Sequence, residues 1–188
     1  LGWDACHNRF CLVVDGKPLQ EITYGHMPLR SDGARPLMNR LLANVLSAMG
    51  QGWLPRSKGD DPILWARRDN NKIADLLCSW AVDVNKTEWR KDRSTTPDLV
   101  VARRSNILVF SDGGTRPDCS ASAWTLGTVS AECDKGFKPM IVAGIYFQTP
   151  ICSFLAEAIA LENATEEVVS FIQTRRDVLK HTFDEGLF

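Results

Sequence analysis

Two apolar runs, each ending in aspartate and then glycine, constrain this chain more than any other feature. Ile107-Leu108-Val109-Phe110-Ser111 leads into Asp112-Gly113-Gly114, and Phe10-Cys11-Leu12-Val13-Val14 leads into Asp15-Gly16. Each run predicts a strand bounded by a turn signal. Each acid then puts a negative charge at the rim of a sheet, where divalent metals are often held. Two further acids have similarly telling surroundings. Glu157 lies inside an apolar helical pattern, and Asp75 closes Asn71-Lys72-Ile73-Ala74-Asp75. What matters for function is whether the four meet.

The chain has 188 residues, 44% of them hydrophobic, which is enough for one domain with a single core. A formal charge of -1 gives no overall positive field. A nucleic-acid partner would have to be held by local patches, and Arg67-Arg68, Arg90-Lys91-Asp92-Arg93 and Arg103-Arg104 are the candidates. The six cysteines have no C-x-x-C spacing and no histidine at zinc-ligand spacing, so they read as reduced thiols of an intracellular protein. His7, His26 and His181 read as surface or loop residues. No apolar stretch approaches a membrane span. The start at Leu1 suggests an excised or processed piece.

The chain falls into two halves. The first has a strand over residues 10–14 and a short helix around 19–24. Helices over 37–49 and 71–84 follow, with a strand at 63–66 between them. Residues 86–105 are polar and read as a linker. The second half reads as strands at 107–111, 121–129 and 140–147, antiparallel neighbours, and then a helix over 151–173. Residues 174–188 give no clear pattern. Trp65, Trp80 and Trp124 read as core residues, and Asn71 as a cap on its helix.

These motifs resemble the ribonuclease H family. The second half, with its acid-bearing first strand and Ala156-Glu157-Ala158-Ile159-Ala160-Leu161 on the helix, is similar to that family's N-terminal half. The first half resembles its C-terminal half, through Val13-Val14-Asp15-Gly16 and through Arg68, Asn71, Ala74 and Asp75 in the pattern of the plant and retroelement branch. The halves stand in swapped order: residues 10–85 match the back half and 106–173 the front. The resemblance implies one domain over 1–188, an α/β ribonuclease H-like fold with a five-stranded mixed sheet flanked by helices, circularly permuted. The 20-residue linker reaches roughly 65 Å when extended, so the join is no obstacle. Permutation within a single, monomeric chain is favoured; the alternative is a piece of a tandem array, two copies of which could pair by swapping halves.

The resemblance further implies an endonuclease that cuts the RNA strand of an RNA–DNA hybrid. Asp112, Glu157, Asp15 and Asp75 would hold two Mg²⁺ ions, with Mn²⁺ as a substitute. Asp112 would bridge the ions, and Glu157 would sit near the ribose 2′-hydroxyl. Gly113, Gly114, Arg67, Arg68 and Asn71 are the expected substrate contacts. The chain has no histidine before its last family helix, unlike the bacterial branch. Arg67 and Arg68, with Arg90, Lys91 and Arg93, are candidates to replace the family's basic protrusion. Two other functions fit the same pattern: a nucleic-acid-binding or scaffolding module that does not cut, and a DNA-directed nuclease or integrase-like relative.

Overall fold

The computed structural model describes residues 9–30, 32–51, 54–55, 63–84, 88–92, 106–129 and 137–184. The patch at Arg103-Arg104, Arg93, Cys6, Cys133 and His7 lie outside them, as does most of the expected linker.

The sheet is organised by β1 (Arg9–Val14). Residues Phe10 to Val14 are all buried. A near-continuous apolar strand of this kind belongs at the centre of a sheet covered on both faces. On one side β1 pairs in parallel with β5 (Asn106–Thr115). On the other it pairs in parallel with the short β2 (Leu54–Pro55) at its start and β3 (Ile63–Trp65) at its end. Next to β5 run β6 (Ser120–Val129) and β7 (Lys138–Phe147), each antiparallel to its neighbour, as their turn-bounded patterns predicted. The result is an α/β protein with a mixed sheet. Its five principal strands lie in the order β3-β1-β5-β6-β7.

Helices cover both faces. α1 (Lys17–Thr23) carries Pro18 in its first turn, where a missing N–H costs nothing. α2 (Arg35–Gly50) and α4 (Ser153–Asp184) pack on the first face. There Leu41, Val45, Leu161 and Val168 share one core with Leu12, Ile107, Val109 and Leu126. α3 (Lys72–Val84) lies on the second face. It presents Ala74, Cys78 and Ala81 at helical spacing, and Cys78 and Ala81 pack with Ala121 and Ala123 of β6. Small residues on both sides let α3 sit close to the sheet.

Several expectations are corrected. The polar stretch read as a linker contains an edge strand, β4 (Glu88–Asp92), antiparallel to β7. The last helix does not stop at residue 173 but continues to Asp184. Of the three tryptophans read as core, only Trp124 is buried; Trp65 and Trp80 are 39% and 43% exposed. Among the described residues no strand lies beyond β3, which leaves Trp65 at the sheet edge, and Trp80 packs edge-on against Trp89 across the surface of the second face.

The largest correction concerns Asp112. Gly113-Gly114 is no turn: β5 runs straight through it to Thr115, with Asp112 opposite Ala123 and Gly113 opposite Ser122. Gly113 is required for a different reason. A Cβ there would overlap the α4 backbone at Ala156 and Glu157 and stand 2.6 Å from the Ala156 carbonyl oxygen. The Ser122 hydroxyl donates to that same carbonyl at 2.7 Å. Substituting Gly113→Ala forces helix and strand apart. It should cost roughly 1–3 kcal/mol, read as a lower urea midpoint with little change in the slope of the transition.

Candidate active site

The four acids come from four elements of one chain, and parallel pairing brings the first two together. Val13 stands opposite Phe110 in the β1–β5 ladder. Two residues further along each strand are Asp15, just past the end of β1, and Asp112, still inside β5, both toward the carboxyl end of adjacent parallel strands. Ligand and catalytic groups of α/β sheets commonly gather at that end. Asp15 is held by its neighbours on β3: the Trp65 indole N–H donates to the Asp15 carbonyl at 2.9 Å, and the Ala66 N–H to the Val14 carbonyl at 2.8 Å.

Glu157 arrives with α4. The contact of Ala156 with Gly113 sets the helix so close that Glu157 extends to the loop after β1. Its Oε2 occupies the space a Cβ on Gly16 would need, and that Cβ would lie 2.8 Å from the Glu157 carboxyl carbon. Gly16 therefore does more than end a strand, the only role its sequence context suggested. It leaves room for a carboxylate beside Asp15.

Asp75 comes from the first turn of α3. The start of that helix is tied to β5 by Asn71, which is fully buried and donates from Nδ2 to the Ser111 carbonyl at 2.9 Å. Asn71 is therefore a strut next to Asp112 and not a side-chain cap. Its Oδ1 has no partner among the described residues.

Of the expected substrate contacts, Gly113 and Asn71 are buried and Gly114 is half-buried. Gly113 is covered by α4, and Gly114 faces the Cys78 sulfur. Arg67 and Arg68 are exposed at the rim. Arg68 Nε donates to Asp75 Oδ1 at 3.0 Å, and its Nη2 contacts the same oxygen. Sequence reasoning placed Arg68 near the acids but missed this pairing. The only signal was a seven-residue spacing across a short turn, and an arginine and an aspartate so spaced need not meet.

The acids act on one another electrostatically. Asp112 is 7% exposed. Burial, and then the charges of Asp15 and Asp75, push its carboxyl up to about 7, against the opposing pull of Arg68. Burial, and then the charges of Asp15 and Asp112, likewise push Glu157 up to about 7. Cys78, on the α3 side, is driven up to about 12 by burial and by the Asp112 charge, so its thiol stays protonated; it donates to the Ala121 carbonyl at 3.3 Å. Among the described residues Cys11, Cys78, Cys119 and Cys152 form no disulfide.

Four carboxylates are a hard-oxygen donor set, suited to Mg²⁺ or Mn²⁺ and unsuited to soft metals. In the arrangement shown, no three His, Cys, Asp or Glu side chains among the described residues stand as a ready ligand group. Asp75 is turned to Arg68 instead. Among the described residues no helix is long and apolar enough to cross a membrane. No protein-family model matches the chain, and no curated protein matches it.

The raised acids give a signed pH dependence. Their unfolded values lie at about 4, so between about pH 4 and pH 7 the folded state binds more protons than the unfolded one. Stability then falls as pH rises through that window. In chelator, the metal-free protein should lose roughly 2–4 kcal/mol between pH 4.5 and pH 8, and Asp112→Asn should remove about half of that loss. Urea titrations at the two pH values measure both; a stability rising with pH would contradict the burial of Asp112 among acids.

Proposed function

We propose that this chain is a metal-dependent phosphodiesterase of the clustered-carboxylate class. More particularly, we assign it hydrolysis of the RNA strand of RNA–DNA hybrids, on a ribonuclease H-like fold whose two halves stand in permuted order. The single observation that carries the reading is the convergence of Asp15, Asp75, Asp112 and Glu157 from four separate elements. Two of them carry carboxyl values raised by burial first and by the charges of the neighbouring acids second. Retaining mutually repelling acids costs stability, and a site that binds divalent cations gives that cost a purpose. The strand order β3-β1-β5-β6-β7, with antiparallel β5-β6-β7 and parallel β3-β1-β5, also suits the fold that the sequence motifs imply.

Asp112, Asp15, Glu157 and Asp75 would hold the cations. Bound divalent ions of this kind supply an activated water and stabilisation of the departing oxygen in phosphodiester hydrolysis. The protein's own contribution is positional. Trp65 and the β1–β3 ladder fix the backbone of Asp15. Gly113 and Ser122 fix the α4 turn that carries Glu157. Asn71 fixes the start of α3. The burial of Asp112 keeps water away from the acid at the centre of the group.

The test uses labelled RNA–DNA hybrid, duplex RNA and duplex DNA, with Mg²⁺ or with chelator. Hybrid should be cut in the RNA strand only, and only with the metal. Asp112→Asn should lower the rate by about 10³-fold, several kcal/mol of lost transition-state stabilisation. Gly16→Ala should also slow cleavage, because the new methyl displaces a flexible carboxylate tip, while the melting temperature changes little. Binding of hybrid without cleavage would leave a scaffolding module, and cleavage of duplex DNA a DNA-directed enzyme; either result sinks the assignment.

A further inference from the structure

Arg68 is the one basic side chain inside the acid group whose partner is described, and its surroundings are unusual for a rim arginine. Its side chain is 76% exposed, so no packing holds it. Its backbone, in contrast, is well held. Arg68 opens a short 3-10 turn over Arg68–Asn70, where the Asn70 N–H donates to the Arg67 carbonyl at 2.8 Å and the Asn71 N–H to the Arg68 carbonyl at 2.9 Å. Asn71 in turn is anchored on β5 beside Asp112. A fixed root with a free side chain makes a short, well-defined swing.

The guanidinium presently engages one oxygen of Asp75 through two nitrogens. Its charge also acts on Asp112, Asp15 and Glu157. Arg68 thus partly neutralises all four acids at once. A dication on Asp75 and a guanidinium on the same carboxylate oxygen repel one another, so the two occupancies exclude each other. Once displaced, the guanidinium stands at the mouth of the site with its fork free. A planar fork of N–H donors is suited to a phosphate, which it can grip through two parallel hydrogen bonds.

Resting on the nuclease reading above, we propose that Arg68 is a substrate-positioning residue with two stations. It serves as an internal counter-cation on Asp75 before metal binds, and as the phosphate clamp of the nucleic-acid backbone afterwards. An arginine cannot shuttle protons, so its role is one of charge and geometry.

The experiment compares the parent chain with Arg68→Ala and Arg68→Lys. Mn²⁺ is titrated calorimetrically into chelator-stripped protein without substrate, and hybrid cleavage is then measured at saturating Mn²⁺ in single turnover. Because the side chain is exposed, both variants should fold, which circular dichroism verifies. Arg68→Ala should bind Mn²⁺ about three- to tenfold more tightly, since a competing ion pair is gone. It should nevertheless cut about 10²-fold more slowly at saturation, because the clamp is lost. Arg68→Lys should restore the parent Mn²⁺ affinity but only part of the rate, because lysine supplies the charge without the fork. An unchanged Mn²⁺ affinity in Arg68→Ala overturns the inference and leaves the nuclease reading standing. A parent chain that neither takes up Mn²⁺ nor cuts hybrid overturns both.

Discussion

The site depends on the close approach of α4 to β5 at Gly113. The helix backbone at Ala156 occupies the space where any side chain on Gly113 would project, and the Ser122 hydroxyl holds the Ala156 carbonyl from the adjacent strand. Helix and sheet therefore meet backbone to backbone at one point. From that point Glu157 is carried to Gly16, and Asp112 is enclosed next to it. Each of the two glycines removes a side chain where a carboxylate or its helix has to pass. Dispersion and burial along the rest of α4, through Leu161, Val168 and Phe171, then stabilise the approach that the glycine permits.

This geometry has an electrostatic consequence. Acids drawn from parallel strand ends and two helices cannot all remain charged and buried without compensation. The protein resolves the conflict in two ways: Asp112 and Glu157 hold their protons up to neutral pH, and Arg68 pairs with Asp75. Elsewhere the protein treats a buried acid differently. Glu162, 5% exposed, receives a hydrogen bond from Arg40 Nε at 2.7 Å and joins α2 to α4 as a structural ion pair. The contrast separates an acid with a cation of its own from a group that shares one arginine among four.

Much of the architecture was legible because periodicity reports burial directly. The apolar run of β1 and the apolar repeat of α2 follow from which side chains must leave water. The misreadings have equally local causes. Gly113-Gly114 carries the composition of a turn, yet its glycines serve packing inside a strand. The stretch 88–92 is polar because it lies on a sheet edge, where strands are commonly charged. Trp65 and Trp80 are large and apolar, which predicts burial, but one sits on an edge strand and the other on the outer side of α3. In each case the backbone environment, several tens of residues away in sequence, decided between two readings of the same residue types.

By itself the sequence singled out the four acids as the candidates for chemistry. Carboxylates placed after apolar strands or within apolar helices are expensive wherever they are buried, so their positions are informative before any coordinates exist. Only the tertiary structure decided that they meet, because convergence depends on the parallel register of β1 and β5 and on a helix-to-strand distance set by the absence of two Cβ atoms. The pairing of Arg68 with Asp75 was also settled there. Charge patterning reveals that a cation is near an anion, but the direction of a flexible side chain follows from the summed field of groups that only folding brings together.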